Sequence, residues 1–101
     1  MHKVEVKQVH IDTGKPKTGT GCPIYKAIKD SGIKEKVHVG GCAITINVDE
    51  GKEVLDVDEY ILDMNSVVQQ WVEDFDLRGK DAVAPFTLFL DFEEQVIETY
   101  T

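Results

Sequence analysis

Asn65-Ser66-Val67-Val68-Gln69-Gln70-Trp71-Val72-Glu73-Asp74-Phe75-Asp76-Leu77-Arg78-Gly79 is the stretch on which the fold turns. Val68, Trp71, Val72 and Phe75 recur at helical spacing, which places them on one face of an α-helix. Asn65 stands where a side-chain oxygen caps the first turn, and Gly79 stands where such a helix ends. Ile61 and Met64 extend the spacing backwards, so a longer helix capped by Asp58 or Asp63 competes with the short one. Downstream, Pro85-Phe86-Thr87-Leu88-Phe89-Leu90 is an apolar strand whose proline is confined to its beginning.

Working outward, Val4 and Val6 alternate with Lys3, Glu5 and Lys7, the pattern of a strand with one buried face. Gln8 to Thr13 reads as a short helical turn ended by Gly14. Cys22-Pro23-Ile24-Tyr25-Lys26-Ala27-Ile28 opens a short amphipathic helix, with proline in the first turn and Gly32 as its stop. Lys36 to Val39 and Cys42 to Val48 alternate about Gly40-Gly41, which makes them a hairpin. Asp49 to Lys52 reads as a turn, Glu53 to Asp58 as a short acidic edge strand, and Asp91 to Thr101 as a strand extension or a further helical turn.

These elements predict an α+β class and a single small domain over residues 1–101, with a four-to-five-stranded sheet carrying two helices. The order β-α-β-β-α-β matches the ferredoxin-like arrangement, with another α+β layout as the alternative. The expected core is Val4, Val6, Ile28, Ile44 and Ile46 from the first half. Val68, Trp71, Phe75, Leu88 and Leu90 complete it.

The net charge of −8 conceals two unlike parts. In residues 1–40 eight lysines outnumber four carboxylates, whereas in residues 41–101 fifteen carboxylates outnumber Lys52, Arg78 and Lys80. Such a balance repels a nucleic-acid backbone, so no duplex nucleic acid is expected as a partner, while a local cationic pocket for a small anion remains compatible with it. The ordinary reading of the acidic half is solubility. No run is apolar enough to span a bilayer, and residues 1–5 do not lead into a signal sequence, so a cytoplasmic location is expected.

Gly14-Lys15-Pro16-Lys17-Thr18-Gly19-Thr20-Gly21 leads straight into the helix at Pro23. A helix start presents unpaired N–H groups and a partial positive charge, and glycines let an anion approach them. Lys15 and Lys17 supply charge, Thr18 and Thr20 hydroxyls, Gly19 and Gly21 close approach, and Cys22 and Tyr25 lie at the helix start. These eight residues are the candidate ligand-binding set, and a solvated surface loop is the ordinary alternative. The spacing is not that of a P-loop, because Thr20 and Gly21 occupy the lysine and hydroxyl places.

Cys22 and Cys42 read as free thiols. With His38 and His10 they lack the close pairing of a zinc site, and Glu73, Asp74, Asp76 and Asp81 lack the ligand order of a calcium loop, so neither metal nor cofactor is expected. The field at the helix start would lower the Cys22 pKa, which makes a thiolate hydrolase with His10 or His38 as base a minor reading. Trp71, Phe75, Phe86 and Phe89 read as core rather than as a base-stacking platform.

Cys22-Pro23-Ile24, Val68, Trp71, Phe75-Asp76, Gly79 and Pro85 to Leu90 together resemble a group of small uncharacterised proteins of tailed bacteriophages, over roughly residues 3–91. Asp49 to Asp63 is longer and more acidic here than in that pattern. The resemblance implies a viral origin and action in the cytoplasm of an infected bacterium. Joined to the loop chemistry, it leads to a non-enzymatic binding protein that sequesters an anionic, nucleotide-derived host immune signal. The alternative is an acidic inhibitor of a host protein. A homodimer completing a pocket across a symmetric interface is compatible with a chain of this length.

Overall fold

The computed structural model describes residues 2–48 and 58–100. In chain order these form β1 (His2–Val6), α1 (Gln8–Thr13), α2 (Pro23–Asp30), β2 (Lys36–Val39), β3 (Ala43–Val48), β4 (Asp58–Asp63) and α3 (Ser66–Arg78). A 3₁₀ turn at Lys80–Ala82 then leads to β5 (Phe86–Asp91) and β6 (Val96–Tyr100). The fold is α+β, as the patterning predicts. The turn at Asp49–Lys52 and most of the expected acidic edge strand at Glu53–Asp58 fall outside the described residues.

The strands form one mixed sheet in the order β1-β5-β6-β4-β3-β2. It consists of two antiparallel three-stranded halves. In one, β3 pairs with β2 and β4; in the other, β5 pairs with β1 and β6. The halves meet at a parallel contact between β4 and β6 with Asp63 opposite Val96. Asp63 N–H donates to the Gln95 carbonyl at 3.0 Å, and Asn65 Nδ2 donates to the Ile97 carbonyl at 3.3 Å.

Several expectations are corrected here. Six strands replace four to five; the short helical turn expected at Gln8–Thr13 is present as α1, with His10 and Ile11 burying its inner face, and it makes a third α-helix beside the two counted for the sheet. The ferredoxin-like order is not adopted: it would set the first strand inside the sheet, whereas β1 is an edge beside β5. The longer version of α3 also fails. Tyr60, Leu62 and Met64 follow a period of two, and Leu62 and Tyr60 sit opposite Ile44 and Ile46, so packing against β3 favours a strand over the competing helical phase. The tail turns back at Asp91, whose Oδ1 accepts from Glu93 and Glu94 N–H, each at 3.1 Å, and Ile97 is buried on the returning strand.

Both main helices start and end where their residues dictate. Asn65 Oδ1 accepts from Val68 N–H at 3.0 Å, and Gly79 takes φ 88°, a left-handed conformation that a side chain would strain. One continuous cluster joins the inner face of the sheet to the helices, from Val4 and Val6 through Ile24, Ile28, Ile44 and Ile46 to Val68, Phe75, Leu88 and Leu90. Nine of the ten expected core residues are buried; Trp71 is only partly so. It stacks on Phe75 at 6.0 Å, meets Phe86 at 4.9 Å and donates its indole N–H to the Ala84 carbonyl at 2.9 Å. That polar end holds it at the rim of the core.

Candidate ligand-binding site

The glycine-lysine loop is folded against the body rather than projecting from it. Lys15 N–H donates to the Gly21 carbonyl at 2.8 Å, which closes the loop on itself. Val39 N–H donates to the Gly19 carbonyl at 2.9 Å, tying the loop to β2. Lys17, at φ 59°, donates its N–H to Asp76 Oδ1 on α3 at 2.9 Å. One bond within the loop and one each to β2 and α3 therefore hold eight residues of chain that contain almost no hydrophobic side chain.

Beside these ties lies a half-open cavity of about 320 Å³. Lys17, Thr18, Gly19 and Cys22 line it from the loop, His38, Gly40 and Gly41 from the hairpin, and Val72 and Asp76 from α3. A second cavity of about 380 Å³ shares Lys17, Gly41, Val72 and Asp76 and continues along α3 past Gln69, Glu73 and Leu77. Each is of a size that admits a small molecule. Four of the eight candidate residues thus meet at one site, whereas Lys15, Thr20, Gly21 and Tyr25 do not line it.

The helix start itself is less open than the sequence reading expects. Pro23 has no N–H, and the Cys22 thiol caps the helix by accepting from Tyr25 N–H at 3.4 Å. The expected fall in the Cys22 pKa is overturned as well. Burial pushes this thiol up, the hydrogen bonds from Tyr25 and Ile24 N–H oppose that without reversing it, and the Asp76 carboxylate pushes it further. A thiol held neutral is a poor nucleophile.

His10 is engaged elsewhere. Its Nδ1 accepts from Lys7 N–H at 2.9 Å, so Nε2 carries the proton and donates to Asp30 Oδ2 at 2.6 Å. Neither ring nitrogen is left to act as a base for Cys22. Both cysteines are free thiols, Cys22 buried and Cys42 exposed, and no group of three metal-binding side chains occurs among the described residues.

Sequence reasoning missed the Gly40-Gly41 turn and Asp76 as parts of this site; His38, weighed there only as a metal ligand and as a base for Cys22, lines the same cavity as that thiol. Asp76 carried a signal: a carboxylate in the last turn of a helix opposes the helix dipole and calls for a compensating donor. Lys17 N–H is that donor. No family model, curated protein or solved structure matches the chain.

Proposed function

We propose that this chain is a non-enzymatic binding protein, made by a bacteriophage, that sequesters an anionic nucleotide-derived immune signal in the host cytoplasm. The observation that carries the binding reading is the cavity walled by a loop tied down at both Val39 and Asp76. A loop already ordered loses little conformational freedom when a ligand enters, which favours binding. Lys17 and the Thr18 hydroxyl supply groups that suit a phosphate, and the glycine backbones permit close approach. The buried, neutral Cys22 favours retention of a ligand over its turnover. The phage setting rests on the sequence resemblance alone.

A second reading, the inhibitor of a host protein, draws on the acidic second half of the chain and on α3, where Val67 is exposed and Leu77 is exposed beside the second cavity. Calorimetric titration with cyclic dinucleotides and ADP-ribose derivatives separates the two. Lys17→Glu is expected to abolish binding, Lys15→Glu to weaken it slightly, and added salt to weaken binding by the parent protein, since exposed charges are screened over about 8–10 Å. If no member of the panel binds, the inhibitor reading takes its place.

A further inference from the structure

We propose that the phosphate this site accepts is a phosphodiester, with a single negative charge and a substituent on each side, rather than the terminal phosphate of a monoester. The inference rests on the nucleotide-binding reading above and states which class of nucleotide the cavities take. The first cavity brings little positive charge to an anion. Among the described residues Lys17 is the one permanent cation on its wall, and the Asp76 carboxylate stands in the same wall. Burial keeps the Cys22 thiol uncharged, and a proton on His38 adds one charge at most. Glu73 makes the second cavity, which shares Lys17 and Asp76, more acidic still. A phosphomonoester carries about −1.5 to −2 at neutral pH, so it sets nearly a full extra charge against Asp76 that Lys17 cannot offset. A diester matches one lysine.

The supply of donors favours the same class. Three N–H groups of these walls, on Lys17, Val39 and Gly40, already donate to Asp76 Oδ1, the Gly19 carbonyl and the Ala43 carbonyl. A terminal phosphate brings one more unesterified oxygen than a diester, and each needs donors. Shape separates the two classes further. The cavities, of about 320 and 380 Å³, meet at Lys17 and Asp76. A phosphate held by Lys17 at that junction has space toward Thr18 and His38 on one side and toward Gln69 and Leu77 on the other. A diester places one substituent in each cavity, whereas a monoester fills one and leaves the other to water. Asp76, at the same junction, selects by repulsion: its effect on a doubly charged group is about twice that on a singly charged one.

The experiment is calorimetric titration of the full chain with the dinucleotide ApA, whose one phosphate joins two nucleosides, with cyclic AMP and AMP, with the guanine counterparts of all three, and with cyclic dinucleotides. At about pH 8, ApA is expected to bind about tenfold or more tightly than AMP, the scale of one unit charge beside a surface carboxylate. Cyclic AMP, which has the single charge but only one nucleoside, should fall between them. At about pH 5 AMP is singly charged, its second pKa being about 6, and the gap between AMP and cyclic AMP should close. Lys17, Cys22, His38 and Asp76 are the titratable groups around the phosphate; they face both ligands alike, so their own titration cancels in that ratio. Asp76→Asn, whose amide oxygen can still accept from Lys17 N–H, should tighten AMP more than ApA. If that variant does not fold, the pH series on the parent decides alone. AMP binding as tightly as ApA, a gap to cyclic AMP that persists at about pH 5, or a folded Asp76→Asn protein that keeps the full difference overturns this inference and leaves the nucleotide reading standing. Failure of every nucleotide, the cyclic dinucleotides included, overturns both.

Discussion

The imidazole of His38 packs over Gly19 and occupies the space that a Cβ at position 19 would need. This contact brings the loop and β2 together at the mouth of the cavity, beside the hydrogen bond from Val39 N–H to the Gly19 carbonyl. Because His38 is exposed, its ring can swing outward at little expense. Gly19→Ala is therefore expected to leave the urea midpoint nearly unchanged while weakening ligand binding, since His38 no longer borders the cavity. A large loss of stability would mean that the ring is held in place by more than this contact.

Gly14 is the contrasting case. A Cβ there would come within 2.6 Å of Pro23 Cδ and 2.8 Å of the His10 carbonyl, where backbone and a rigid ring cannot move aside. Gly14→Ala should destabilise the protein by about 1–3 kcal/mol, the usual consequence of overpacking. Gly41→Ala, with nothing within 4 Å of the added carbon, is the control and should be near neutral in chemical denaturation.

Asn65 uses both ends of its amide, one to cap α3 and the other to reach across to Ile97. Asn65→Ala removes both contacts and is expected to cost about 1–2 kcal/mol. Asn65→Asp keeps the capping oxygen and loses only the donor, so it should fall between the parent and the alanine variant. Equal losses in the two variants, measured by urea denaturation, would assign the whole effect to the contact with Ile97.

For Trp71, partial exposure sets the expected magnitude. Trp71→Ala should cost less than the roughly 3–5 kcal/mol of a fully buried aromatic. Trp71→Phe, which keeps a ring against Phe86 but loses the bond to the Ala84 carbonyl, should cost about 0.5–1.5 kcal/mol. Thermal denaturation of the pair separates packing from the hydrogen bond.

The Cys22 thiol predicts a pH dependence of definite sign. Its pKa is raised in the folded state, so the folded chain holds its proton to higher pH than the unfolded chain does. The contribution is complete below the unfolded thiol value of about 8.5 and is lost as pH rises from there through the folded value. The stability difference between the parent and Cys22→Ala should accordingly shrink above that pH. Under native conditions a thiol reagent should modify the exposed Cys42 well before Cys22.

Much of the architecture was legible because local patterns and tertiary demands agreed. Asn65, Gly79 and the Val68-Val72-Phe75 face delimit α3 without help from the rest of the chain. At Asp58–Asp63 they disagreed: one apolar segment satisfied both a helical and an extended period, and only the vacant edge of β3 selects the second. The site was half legible for a related reason. Lys17, Thr18, Gly19 and Cys22 lie together in sequence, whereas His38 and Asp76 reach them only through the sheet order, which periodicity does not encode.

The placement of β1 sets the tempo of assembly. Val4 lies opposite Leu88, so this outer ladder joins residues near the two extremes of the described chain, while β2, β3 and their connecting turn are neighbours in sequence. During synthesis β1 must wait on the ribosome, without its partner strand, until the residues of β5 have emerged. Contacts of such long range slow folding, because the intervening chain must be ordered before they form. The half built on the β2–β3 hairpin should acquire amide protection first in pulse-labelling experiments, and the ladder between β1 and β5 last.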